Sequence, residues 1–184
     1  KPMAVVLQSG TVITMHDWID EVDAVLMGWY PGCEGGHAIA EALFGDYNPG
    51  GKLPITFPKV TGQVPLNYNR HPKGKEKIKF IGEFNEPLFS FGHGLSYSQF
   101  EYDDLELSAA TIQPGDTATL RFRVTNTSNR AGEEVVQLYL HDAYASVTQP
   151  IQKLIGFERL ELEAGTSKTV ELRILPDGRT VFVA

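Results

Sequence analysis

Residues 29–58, WYPGCEGGHAIAEALFGDYNPGGKLPITFP, set two glycine-rich turns around one short apolar segment, and the reading of that segment decides the fold of the first third of the chain. Ile39, Ala40, Leu43 and Phe44 recur at helical spacing, and Gly45 stands where a left-handed C-terminal cap falls. This pattern predicts a helix of about three turns from Glu34 to Phe44. The runs Ala4 to Leu7, Ala24 to Trp29 and Leu53 to Phe57 are apolar throughout rather than alternating. Runs of that kind suit strands of a sheet covered on both faces, so residues 1–60 read as α/β.

From Leu105 onward the period changes to two. In TATLRFRVTNT (117–127), Leu120, Phe122 and Val124 alternate with Thr119, Arg121, Arg123 and Thr125, which puts one face in a core and the other in water. EEVVQLYLH (133–141), KLIGFERLEL (153–162) and KTVELRIL (168–175) read as further short strands, with turns at NTSNRAGE and EAGTSK. That rhythm predicts an all-β sandwich over 97–184. Thr61 to Phe91, rich in Pro, Gly, Asn and Lys, reads as an irregular connection wrapping one domain onto the other, so the division is 1–60, 61–96 and 97–184.

The balance of 42% hydrophobic and 21% charged residues is that of a globular chain, and a net charge of −7 argues against a nucleic-acid partner, which needs a basic stripe. The run Lys73 to Lys79 reads as a solvated loop. No apolar stretch approaches the roughly 18 to 20 residues of a membrane helix, so no membrane partner is expected. Cys33 is the single cysteine; with no base near it in sequence it reads as a packed small residue rather than a nucleophile. The chain opens directly on the strand-like Met3 to Leu7, which suggests a piece of something longer.

Several site types fail on spacing. Gly51-Lys52 is followed by Leu53 rather than Ser or Thr, GCEGG lacks the dinucleotide-binding spacing, and no Gly-x-Ser-x-Gly occurs. The five histidines show no metal-ligand spacing, so neither a metal nor a cofactor is expected. What remains is a strand ending in a Pro31-Gly32 turn that feeds a helix. Ligands of open α/β sheets bind beyond the carboxyl ends of strands, so this turn is a natural pocket rim. Glu34 then has two readings: it accepts hydrogen bonds from a hydroxylated ligand, or it complements the partial positive charge of the helix N-terminus, the reading that sequence alone favours.

DAVLMGWYPGCEGGHAIAEALFGDYNPGGKLPITFP (23–58), GQVPLNYN (62–69) and NEPLFSFGHGLSYSQFEY (85–102) resemble the C-terminal part of glycoside hydrolase family 3, the β-glucosidases and β-xylosidases. GEEVVQLYLHD (132–142) and KLIGFERLELEAGTSKTVEL (153–172) resemble the fibronectin type III-like domain that follows in many members. The resemblance implies a partial α/β sandwich domain followed by a fibronectin type III-like β-sandwich, in an enzyme whose barrel is N-terminal to both. It also implies retaining hydrolysis of a β-glucoside or β-xyloside. The nucleophilic aspartate lies in the barrel, and the acid/base glutamate lies upstream of the stretch matching AVVLQSG. No catalytic residue is then expected here, the missing N-terminal catalytic portion is the expected partner, and Glu34 is the candidate substrate-binding residue.

His16-Asp17-Trp18 imitates the nucleophile's Asp-Trp context but falls between two sandwich-domain strands in the family's order, so Trp18 is expected in an apolar contact and Asp17 as a turn cap. Gly92 and Gly94 flank His93, where the family often has an aromatic, and read as a tight turn. Phe84, Phe89, Phe91, Tyr97, Phe100 and Tyr102 read as packing rather than as a sugar-stacking platform. Asn126-Thr127-Ser128 fits the glycosylation triplet. Family members continue past ELRIL with a further strand and hairpin, whereas PDGRTVFVA stops, so the sandwich is expected to lack its last strand and to expose an edge. The readings from other classes are a non-catalytic carbohydrate- or protein-binding module, and a homo-oligomer joined through incomplete edges. Extracellular, periplasmic and cytoplasmic placements stay open, the first two slightly favoured.

Overall fold

The computed structural model describes residues 1–72, 86–111, 113, 115–144, 146–175 and 180–183. The Lys73 to Lys79 run and Phe84 lie outside them. The chain forms two compact units: Lys1–Tyr47, Lys52–His93 and Ala145–Ile151 in the first, and Asn48–Gly51, Gly94–Tyr144 and Gln152–Ala184 in the second.

The first unit is built on two parallel strands, β1 (Ala4–Leu7) and β2 (Ala24–Met27), aligned Ala4 to Ala24 through Leu7 to Met27. Parallel neighbours require a long crossover. Here it contains a single 3-10 turn, Ile19–Glu21, hung from the buried Met15 through the Trp18 and Ile19 amides that donate to its carbonyl. The Gly28 amide extends the ladder by donating to the Leu7 carbonyl at 2.8 Å.

Helix α1 (Gly35–Phe44) follows, with Glu34 at its N-cap. Gly45 terminates it in the left-handed region at φ 88°, donating its amide to the Glu41 carbonyl, a conformation that glycine reaches without a Cβ penalty. The predicted helix is therefore present. Ile39 and Ala42 turn inward, whereas Leu43 and Phe44 are exposed.

Leu53 to Phe57 does not form the predicted strand. Phe57 makes only an isolated antiparallel bridge to Phe89, and Leu53 bonds the backbone of Gly92 and His93. Pro54 and Pro58 bring no amide donors, which leaves too few groups for a ladder. Phe57 nevertheless anchors the unit, 1% exposed, with the Trp29 ring edge-on at 6.2 Å.

The second unit is a β-sandwich. β3 (Phe100–Leu107), β4 (Ala118–Asn126), β7 (Ser167–Ile174) and β8 (Thr180–Val183) form one antiparallel sheet in the order β3-β4-β7-β8. β5 (Gly132–Leu140) pairs antiparallel with β6 (Lys153–Leu162). Phe122, Val124, Val170 and Leu172 from the first sheet meet Val136, Leu160 and Leu162 from the second in one buried cluster. Arg121 and Arg123 stay exposed on the opposite face of β4, as the period of two requires.

One strand departs from the sequence reading. Strand β3 begins at Phe100, five residues before the alternation was expected to start, because a register shift between Asp103 and Glu106 breaks the period. Asp104 takes φ 53° there and pairs with Arg123 at 2.7 Å. Beyond Ile174, Thr180–Val183 pairs with Glu171–Ile174 and covers that stretch of the β7 edge. Among the described residues no helix is long and apolar enough to cross a membrane.

Candidate functional site

Because β1 and β2 are parallel, the loops leaving Leu7 and Met27 emerge at the same end of the sheet. The second loop, residues 28–34, carries the candidate residue. Trp29 sits at φ 50°, a left-handed conformation uncommon for a bulky side chain, and Gly32 follows at φ 71°. These two reversals carry the chain from the strand into α1 within seven residues.

Glu34 occupies the N-cap at φ −89°, ψ 8°, and its side chain makes no capping hydrogen bond. It is exposed, and among the described residues no hydrogen-bond or ion-pair partner engages its carboxylate. A carboxylate in that state is free to accept from two hydroxyl groups. Neighbouring Cys33 is exposed rather than packed, since it lies on the outside of the turn before α1.

The other singled-out residues serve structure. Asp17 makes no cap to the 3-10 turn, contrary to expectation, while Trp18 is half-buried. His93 stacks on Phe89 at 4.9 Å, and its imidazole pKa is held below the ordinary value, first by burial and then by the Lys52 charge. Gly92 provides the turn there at φ 81°. Phe91 stacks on Tyr68 at 4.2 Å, Arg130 lies over the Tyr97 ring, Phe100 packs against the sandwich core, and Tyr102 stacks on Phe122 and donates to Glu134 at 2.9 Å. Burial, followed by the Glu134 carboxylate, pushes the Tyr102 hydroxyl pKa upward. The described aromatic residues of that stretch are thus occupied in packing.

Asn126 is fully buried. Its amide nitrogen donates to the Arg130 and Leu162 carbonyls, and its amide oxygen accepts from the Ser128 amide and hydroxyl. The glycosylation triplet is therefore a folded turn with no accessible nitrogen.

Sequence reasoning missed Asn48, whose side chain makes four hydrogen bonds within the second unit, and the left-handed Trp29. An Asn-Pro-Gly-Gly turn signals a bend but not a hub, and no local pattern announces positive φ at tryptophan. An open groove of about 420 Å³, lined by Glu106, Leu107, Ser108, Thr119, Arg121 and Glu171, lies on the second unit. Glu106, Arg121 and Glu171 stand in register across β3, β4 and β7, as on a solvated charged sheet face. No group of three or more His, Cys, Asp or Glu among the described residues is placed to hold a metal.

A family model for the glycosyl hydrolase family 3 C-terminal domain matches residues 1–97. The chain belongs to glycosyl hydrolase family 3. A model for the fibronectin type III-like domain matches residues 134–182. Among relatives, the chain is 43% identical over 183 residues to a periplasmic β-glucosidase of Salmonella typhimurium, covering 95% of this chain and 24% of that protein. It is 40% identical over 178 residues to a β-xylosidase of Formosa agariphila, again covering 95% and 24%.

Among solved structures, a β-glucosidase of Erythrobacter marinus superposes with a TM-score of 0.88 at 37% identity, over 98% of this chain and 25% of that one. A β-glucosidase of Listeria innocua in complex with glucose gives 0.86 at 35%, over 97% and 26%. The chain thus spans about a quarter of the length of the family 3 enzymes it matches.

Proposed function

We propose that this chain works as part of a retaining β-glycosidase that removes terminal β-linked glucose or xylose from glucosides, oligosaccharides or glycans. The observation that carries the reading is the match of nearly the whole chain to β-glucosidases and β-xylosidases about four times as long. In this reading both catalytic carboxyl groups belong to the remaining portion of the enzyme. The division is a partial α/β sandwich domain over 1–60, a connection over 61–96 and a fibronectin type III-like sandwich over 97–184.

The chain's own contribution is one rim of the sugar pocket, with Glu34 accepting from sugar hydroxyls. The carboxylate's lack of a capping bond supports that role, because nothing in its own helix terminus consumes it. The rest of the enzyme is the expected partner, and the exposed Met3, Leu43, Phe44 and Ile55 of the first unit suit burial against it.

The test is hydrolysis of 4-nitrophenyl β-glucoside and β-xyloside by the complete polypeptide containing this chain, with the anomer of the first-formed sugar read by proton NMR. Turnover with retained β configuration is expected. A folded complete polypeptide that cleaves neither substrate would sink the glycosidase reading, and release of the α anomer would sink the retaining mechanism.

A further inference from the structure

Tyr30, one residue past the left-handed Trp29, is 84% exposed, and the hydroxyl end of its side chain reaches Gly10. A Cβ added at Gly10 would lie 2.1 Å from the Tyr30 hydroxyl oxygen and 2.4 Å from two ring carbons. The hydroxyl end of the tyrosine therefore abuts Gly10, and the side chain spans from the loop after β2 to the loop after β1. Gly10 is not in the left-handed region, so a Cβ there would meet the end of the Tyr30 ring first and the ring would have to swing aside.

The cause of this placement is upstream. Trp29 is held by its edge-on contact with the buried Phe57, and its left-handed backbone turns the next residue across the end of the sheet. Strain of this kind persists where the surrounding structure over-determines it, and it concentrates at functional sites. The result is a large aromatic surface left in water at the carboxyl ends of two parallel strands, four residues before the unpartnered Glu34.

We infer that Tyr30 is a sugar-stacking residue of this rim, its hydroxyl end against Gly10 and an open ring face offered to the apolar face of a β-linked pyranose while Glu34 accepts from that sugar's hydroxyls. The inference rests on the glycosidase reading and adds the residue that supplies apolar contact. A ring whose body is apolar and whose hydroxyl is polar suits a ligand with the same division. An uncharged sugar also tolerates a neighbouring carboxylate that would repel an anion.

The experiment uses the complete polypeptide and two readouts: kinetics on 4-nitrophenyl β-glucoside, and calorimetric binding of glucose, which needs no turnover. Tyr30→Ala is expected to raise KM and the glucose Kd by about five- to tenfold while kcat changes less than about twofold, the signature of lost uniform binding. Tyr30→Phe keeps the ring and is expected to stay within about twofold of the parent. Gly10→Ala pushes the ring away and is expected to weaken glucose binding as Tyr30→Ala does. Combined with Tyr30→Ala it should add nothing, because the Cβ then meets no ring.

Unchanged KM and Kd in Tyr30→Ala would overturn the proposal. So would a Gly10→Ala penalty that persists without Tyr30. A fall in thermal stability with glucose binding intact would assign the ring to a packing contact with the rest of the polypeptide, which also overturns it. A parent that binds glucose through Tyr30 yet hydrolyses nothing would uphold this inference while rejecting the catalytic reading.

Discussion

The Asn48 side-chain amide donates to the Ser98 hydroxyl at 2.8 Å across a sequence separation of 50 residues. The same nitrogen donates to the Ala131 carbonyl at 2.8 Å, and the amide oxygen accepts from the Ser96 hydroxyl and the Tyr97 amide, both at 2.9 Å. Two donor hydrogens and two lone pairs are thus all used. Residues 48–51 belong to the second unit although the chain on either side of them belongs to the first, so this one side chain secures an excursion of the backbone.

Asn48→Ala removes all four bonds and leaves the Tyr97 amide and Ala131 carbonyl without that partner. The expected loss is about 2 to 3 kcal/mol, read as a lower urea midpoint by circular dichroism. Asn48→Asp retains the acceptors but sets a carboxylate oxygen against the Ala131 carbonyl, so it should also destabilise. An aspartate variant as stable as the parent would mean that the donated bonds contribute nothing.

The contrast between Asn48 and β4 shows what a sequence can and cannot reveal. In β4, side-chain alternation and burial are the same fact, because a strand's geometry forces one into the other, so Phe122 and Val124 were legible as core. Helix α1 was legible for a similar reason, with Gly45 marking its end. Strand β3 was obscured because one register shift moves its apolar residues from even to odd positions: Phe100 and Tyr102, then Leu105 and Leu107. β8 was obscured by its four-residue length, and its pairing depends on β7 rather than on its own pattern. At the candidate site, Glu34 could be placed at a helix start, but the posture of Trp29 and Tyr30 depends on Phe57 and Gly10, which are distant in sequence.

Asn126 yields a second prediction. Its nitrogen is donated at 2.8 and 3.0 Å inside the sandwich, so a glycan-transferring enzyme acting on the folded chain finds no substrate. Secretion through a eukaryotic host is expected to give a chain whose mass at this triplet is unmodified. Asn126→Ala should cost about 2 to 3 kcal/mol, because it leaves two carbonyls and the Ser128 amide short of a buried partner. A glycan found at Asn126 on a natively folded chain would contradict the buried position.

His93 provides a pH dependence. Its folded pKa lies below the ordinary histidine value of about 6.5, chiefly through burial, with Lys52 adding to the effect. The unfolded chain therefore binds a proton first as the pH falls. Stability is unaffected well above the ordinary value and declines as pH drops from there toward the folded pKa. His93→Phe keeps a ring for the Phe89 stack and removes the proton, so its stability should vary less over that window than the parent's. Equal slopes in urea midpoints between pH 7 and pH 5 would assign the dependence to other groups.

Glu34 separates stability from binding. The side chain is exposed and makes no capping bond, so its folded-state role is limited to a charge near the helix N-terminus, a contribution of roughly 0.3 to 1 kcal/mol at low ionic strength. Glu34→Gln should therefore shift the urea midpoint only slightly, and less still in high salt, where that charge is screened. In the complete polypeptide the same change replaces a charged acceptor with a neutral amide, and charge-assisted hydrogen bonds are roughly twice as strong as neutral ones. KM for 4-nitrophenyl β-glucoside is expected to rise about three- to tenfold, with ionic strength having little effect on the ratio. A large salt-sensitive stability loss with unchanged KM would return Glu34 to a purely helical role. The rim would then have to be built from the residues around Tyr30 without it.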